Sequence, residues 1–167
     1  MTLNDHIQAY QKQLQSGSLQ SAYRGLIEFM TNLRIHLEKK HPEDFIGGNP
    51  YFGYLDWTYF PFTPKALKAK KLKIVIILDH EQLRFEAWLV GQNKQLQKSY
   101  WELLKHKAWN KLPLTNSPKD AIIQEILAER PDFDKQSALI SEIEAKVMRF
   151  MDMVNEIGDF DLYTNHS

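Results

Sequence analysis

The chain has 167 residues, 21 Lys/Arg balanced by 21 Asp/Glu, six His and no Cys. That length suits one domain over 1–167, burying roughly two thirds of the unfolded surface without a covalent staple. The missing thiols exclude disulfides, thiolate zinc sites, iron–sulfur clusters and cysteine nucleophiles, so any chemistry falls to carboxylates, hydroxyls, imidazoles and lysine, in an expected cytoplasmic setting.

The start, MTLNDHIQAYQ, has neither a basic nor an apolar leader region, and Leu3, Ile7, Tyr10 and Leu14 recur at helical spacing until SGS at 16–18 breaks the pattern. From Ser18, the positions Leu19, Ala22, Tyr23, Leu26, Phe29, Met30, Leu33 and Leu37 hold one face of a long helix that His41-Pro42 ends. EDFIGGNP then reads as a loop, because Gly47-Gly48 and Pro50 oppose helix, and the aromatic stretch after it predicts a strand over 51–60 that FPFTP closes. PKALKAKK predicts one or two helical turns. KIVIIL shows no alternation and predicts a central strand, the longest apolar run here and far too short to span a bilayer. DHEQ turns the chain into LRFEAWLV, the second arm of a hairpin, and Gly91 with Asn93 ends that arm and caps a helix over about 94–105. A loop with two prolines leads to 121–128, ambiguous between strand and helix and taken as a fourth strand. Asp134 is expected to cap a last helix over 135–157, whose seam Ile140, Ile143, Val147, Phe150, Val154, Ile157 suits the protein's own sheet or, alternatively, a homodimer. Met148, Met151 and Met153 read as packing of that helix. The order predicts an α+β fold, a small, mainly antiparallel sheet of three to five strands packed with long amphipathic helices.

Parity along the hairpin sorts its side chains. Ile74, Ile76, Leu78, Phe85, Ala87 and Leu89 share a wholly apolar face, whereas Val75, Ile77, Asp79, Arg84, Glu86 and Trp88 share a mixed one. Asp79 opposite Arg84 predicts a cross-strand ion pair, and Glu86 at mid-strand demands a partner. With the first strand alongside, Tyr54, Asp56, Thr58, Arg84, Glu86 and Trp88 form the candidate binding cleft, although Asp56 as a buried hydrogen-bonded residue holding the loop and Glu86 satisfied by Arg84 account for them more simply. His36 and His41 stand five apart rather than four, and with His80 and His106 read as surface residues. Phosphate loops and Gly-x-Ser-x-Gly settings are missing, so hydrolase and nucleotide-binding classes gain no support.

Charge is distributed unevenly: residues 65–111 hold eleven Lys/Arg against four Asp/Glu, and residues 119–167 hold five against eleven. Lys65, Lys68, Lys70, Lys71, Lys73, Lys105, Lys107 and Lys111, near Trp109, would form a weak nucleic-acid surface if not simply solvated.

The block GYLDWTYFPFTP, with KLKIVIIL and then RFEAWLVGQNKQLQKSYWELLK, resembles a bacterial family of small proteins that constitutes a domain of unknown function. The likeness spans most of the chain and implies no activity or cofactor. The order of elements is also similar to the restriction-endonuclease-like nuclease core. That resemblance implies a divalent-metal site using Asp79 and Glu86, with Glu28 auxiliary, but Trp88 stands where the nuclease motif has a lysine. The expected function is therefore a non-enzymatic ligand-binding or protein-interaction module, the alternative being a metal-dependent nuclease-like protein or its inactive relative.

Overall fold

The computed structural model describes residues 1–162. Helix α1, Leu3–Leu14, opens on a reciprocal cap: the Thr2 hydroxyl accepts from Asp5 N, and the Asp5 carboxylate accepts from Thr2 N at 2.6 Å. Gly17, in the left-handed region at φ 74°, turns the chain into α2, Ser18–Lys40. Then come β1 (Phe45–Gly47), β2 (Trp57–Pro64), α3 (Lys65–Ala69), β3 (Leu72–Asp79), β4 (Arg84–Gly91), α4 (Lys94–His106), β5 (Ile123–Ala128) and α5 (Gln136–Val154), the last running into a 3₁₀ turn, Asn155–Asp159. Asn93 caps α4 by accepting from Leu96 N.

The sheet is a meander in the order β1-β2-β3-β4-β5, antiparallel throughout. This is the α+β class expected, with β3 central and 123–128 a strand. Four points differ from expectation. The aromatic strand starts at Trp57, not 51, because residues 52–56 loop outward and Tyr51 returns only as an isolated bridge to Tyr59. FPFTP does not close it but runs inside β2; Pro61 lies just past the end of β1, where a residue lacking an N–H is tolerated. That edge strand, β1, occupies a segment expected to be loop. Asp134 also fails to cap α5: Lys135 precedes the helix, which has no side-chain cap.

Every helix that enters the core lies on one face of the sheet. Phe60, Phe62, Ile74, Ile76, Leu78, Phe85, Ala87 and Leu89 meet Phe29, Met30, Leu33 and Leu37 of α2, Leu67 of α3, Tyr100, Leu103 and Leu104 of α4, and the seam of α5. Ile143, Val147, Phe150, Val154 and Ile157 are buried there, so the seam considered for a homodimer through 135–157 is consumed by the protein's own core. The other face carries a small buried apolar cluster, Val75, Ile77, Trp88 and Ala121, flanked by Tyr59 and Val90, with no helical residue in it among the described residues. Among the described residues no helix is long and apolar enough to cross a membrane.

Candidate functional site at the open end of the sheet

The loop before β2 is wound around Asp56. Its Oδ1 accepts from the backbone N–H of Tyr54 at 2.8 Å and of Trp57 at 2.7 Å, and these bonds hold the carboxyl below the usual aspartate range. Gly53, at φ 67°, is required in this turn: a Cβ there would lie 2.3 Å from the Trp57 carbonyl oxygen and 2.4 Å from Asp56 Oδ1. The winding drives Leu55 to φ 65°, a conformation costly for a branched side chain, and leaves Tyr54 89% and Leu55 49% exposed. Asp56 is therefore a turn-holding carboxylate, and the rings it organises point to solvent.

The β3–β4 turn repeats the device. Asp79 Oδ1 accepts from Glu81 N and Gln82 N, each at 2.9 Å, and Leu83 adopts φ 50° with 43% exposure. Asp79 does not pair with Arg84 as expected; the turn amides claim its oxygen. His80 ties turn to loop, its backbone N–H donating to Asp56 O and its Nε2 lying 2.7 Å from Thr58 Oγ1. Because the Thr58 hydroxyl donates to Phe52 O, the imidazole donates its Nε2–H to Thr58. Burial pushes the His80 ring below its ordinary pKa, against the opposing charges of Asp56 and Asp79. Thr58 is fully buried, so this hydroxyl–imidazole pair holds structure and offers no accessible nucleophile. A surface role for His80 is thereby corrected; the only sequence signal was its place next to Asp79 in the hairpin turn.

On the open face, Glu86 is 4% exposed and divides its oxygens: Oε1 accepts from Arg84 Nε and Oε2 from Trp88 Nε1, both at 2.5 Å. Trp57 meets Trp88 edge to face, centroids 5.1 Å apart. The expected cleft is split by strand parity. The register pairs Thr58 with Leu78 and Phe60 with Ile76, which puts Thr58 on the core side, while Trp57 and Tyr59 share the side of Ile77, Arg84, Glu86 and Trp88. Arg84, Glu86 and Trp88 are brought together; Tyr54, Asp56 and Thr58 belong to the adjoining loop and core.

The nuclease-type set does not converge. Glu28 is exposed on α2, the helix packed on the opposite side of the sheet from Glu86, and Asp79 is occupied by its turn. Among the described residues no three His, Asp or Glu side chains are placed to hold a metal ion.

Two features lie elsewhere. His36 and His41, expected at the surface, instead converge on Glu144 of α5 at 2.6 and 3.1 Å, with Lys40 at 3.5 Å. Burial raises the Glu144 carboxyl, but hydrogen bonds from both imidazoles and the charge of Lys40 outweigh it and leave it below the usual range. The five-residue spacing works because His41 lies past the end of α2 and is not bound to helical geometry. In the lysine-rich region, Lys70, Lys71 and His106 line one open hollow of about 890 Å³, so segments 64–73 and 105–111 do adjoin. Trp109, the expected stacking ring, donates its indole N–H to Glu156 at 2.6 Å, and Lys111 binds the other oxygen of the same carboxylate.

Residues 3–158 match the family model described as a domain of unknown function, DUF7000, and the chain belongs to that family. No curated protein and no solved structure matches it.

Proposed function

We propose that the protein is a non-enzymatic protein-interaction module whose contact surface is the end of the sheet formed by the 52–57 loop, the β3–β4 turn and Trp57. One observation carries this reading: Leu55 and Leu83, both branched apolar residues, are held in the left-handed region with their side chains about half exposed. A left-handed L-residue costs about 1–2 kcal/mol, and strain of this kind is maintained where the surrounding structure requires that shape. Here the surroundings are two aspartate-wound turns linked through His80, and what they present is apolar surface next to Tyr54 and Trp57. Exposed rings and aliphatic side chains on a rigid frame are the residue types that anchor protein interfaces. Of the carboxylates nearby, Glu86 commits both oxygens to Arg84 and Trp88, and Asp56 and Asp79 each commit Oδ1 to two turn amides, roles that fix the shape of this surface.

The test compares the wild type with a Tyr54→Ser/Leu55→Asn/Leu83→Asn variant, both immobilised and exposed to extract of the native host. Asn accepts left-handed geometry, so the variant should keep its melting temperature while losing specifically retained proteins. Identical retained sets would sink the reading. A melting temperature raised by Mg²⁺ or Mn²⁺ and abolished by Asp79→Asn would favour the metal-dependent alternative instead.

A further inference from the structure

The end of the sheet that carries Leu55 and Leu83 is acidic as well as apolar. Asp56, Asp79 and Glu81 lie within its two turns, and Asp56 and Glu81 are exposed. Among the described residues none of the three is in an ion pair: Arg84, opposite Asp79 in the register, gives its Nε to Glu86. The His80 ring feels the charge of both aspartates, but burial lowers its pKa and leaves it neutral at neutral pH. Asp56 and Asp79 bind their turn amides through Oδ1, which leaves Oδ2 of each for an external donor. Beside these charges Phe52 and Trp57 are 42% and 37% exposed, and Tyr54, Leu55 and Leu83 more so. The chain is neutral overall, with 21 Lys/Arg against 21 Asp/Glu, so the acidity is local to this surface. We infer that the surface takes a basic, apolar peptide segment of a partner protein, with an aromatic or aliphatic side chain seated among Tyr54, Leu55 and Leu83 and flanking Lys or Arg against Asp56, Asp79 and Glu81. This deepens the interaction reading, and rests on it, by naming the chemistry of the partner.

Charge complementarity selects the occupant. Uncompensated carboxylates repel an acidic segment and an anionic membrane surface, either of which the exposed apolar side chains alone would admit. The exposed rings act in the same sense, because the faces of Trp and Tyr attract Lys and Arg side chains. Pairs of exposed charges contribute little each, so affinity comes from the apolar anchor and the choice of partner from the three carboxylates. Two backbone N–H groups fix each aspartate before anything binds, and a preorganised surface loses less freedom on association.

The test is selection of a phage-displayed library of random dodecapeptides on the full chain, followed by fluorescence anisotropy of the selected peptides made synthetically. The selected sequences should combine an aromatic or aliphatic residue with Lys or Arg. Their Kd should rise about tenfold in Asp56→Asn/Asp79→Asn/Glu81→Gln, and their binding should weaken with salt. Asn offers an Oδ1 to the same turn amides, so this variant should keep the loop shape and melting temperature and lose only charge. If it misfolds, Glu81→Gln alone replaces it, with a rise of about twofold, since the Glu81 side chain holds neither turn. Selected peptides that are neutral or acidic, or whose Kd is the same in the charge-neutral variant, overturn the inference. If those peptides still lose binding to Tyr54→Ser/Leu55→Asn/Leu83→Asn, the interaction reading stands without it. A library that yields no binder also overturns the inference, and the interaction reading is then decided by its own retention test.

Discussion

Replacing Glu86 by Gln tests whether the open face is organised by one carboxylate. Each Glu86 oxygen accepts one N–H, from Arg84 Nε and Trp88 Nε1. An amide has a single acceptor oxygen, so in either orientation one of these donors faces an N–H. Arg84 is 31% exposed and can turn to water, whereas Trp88 is 8% exposed, so the amide oxygen should be kept by the indole. Losing the arginine bond then costs about 1 kcal/mol after solvent compensation, and weakening the indole bond from charge-assisted to neutral costs about 1 kcal/mol more. Glu86→Gln should therefore destabilise by about 2 kcal/mol, or about 4–8 °C in Tm for a chain of this size. Glu86→Ala leaves the buried indole N–H without an acceptor and should cost about 3–4 kcal/mol. Urea unfolding followed by tryptophan fluorescence measures both values. A Gln variant within about 0.5 kcal/mol of wild type, or a Gln variant less stable than Ala, would refute the division of roles between the two oxygens.

Leu83→Asn should be more stable than Leu83→Ala by about 0.5–1 kcal/mol, since both lose the same apolar contact but only Asn tolerates φ near 50°; equal urea midpoints would remove the strain argument. Glu144→Gln should flatten the acid limb of the stability–pH curve. The Glu144 carboxyl lies below its unfolded value when folded, so its contribution is complete above the ordinary pKa near 4.3 and is lost as pH falls through the folded value. Thermal melts of wild type and variant from neutral to acid pH should differ most above the ordinary carboxyl range and converge only once the pH has fallen past the lowered folded value. Asp56→Ala should speed amide hydrogen exchange at Tyr54 and Trp57 above all, and unchanged protection there would contradict the role of Asp56 as the turn's acceptor.

Much of the frame is legible from spacing, because the apolar hairpin face, the α2 stripe and the α5 seam all repeat over enough residues for periodicity to outweigh local exceptions. The candidate site was harder to read for a specific reason. Assigning Asp56, Thr58 and Glu86 to one cleft assumed that the alternation of β2 could be aligned with the hairpin by sequence alone, but period-two patterns leave the relative parity of two strands open. The observed register pairs Trp57 with Asp79, which reverses that assignment and puts Thr58 in the core. The His36–His41–Glu144 clamp was invisible for another reason: its partners are 103 and 108 residues apart in sequence, and one of them lies past a helix end where side-chain direction follows no period.

Asp56, Asp79 and Glu86 drew attention as carboxylates among apolar residues, and each has a partner, but of different kinds. Asp56 and Asp79 bind backbone amides, which makes them determinants of loop shape. Glu86 binds side chains, which makes it a determinant of how Trp88 and Arg84 lie on the sheet. Asp56 and Asp79 each commit Oδ1 to two backbone amides, and Glu86 commits both of its oxygens to neighbouring side chains. The energy goes into displaying Tyr54, Leu55, Leu83 and Trp57 against solvent, an arrangement disfavoured in an isolated monomer and consistent with a partner covering that surface.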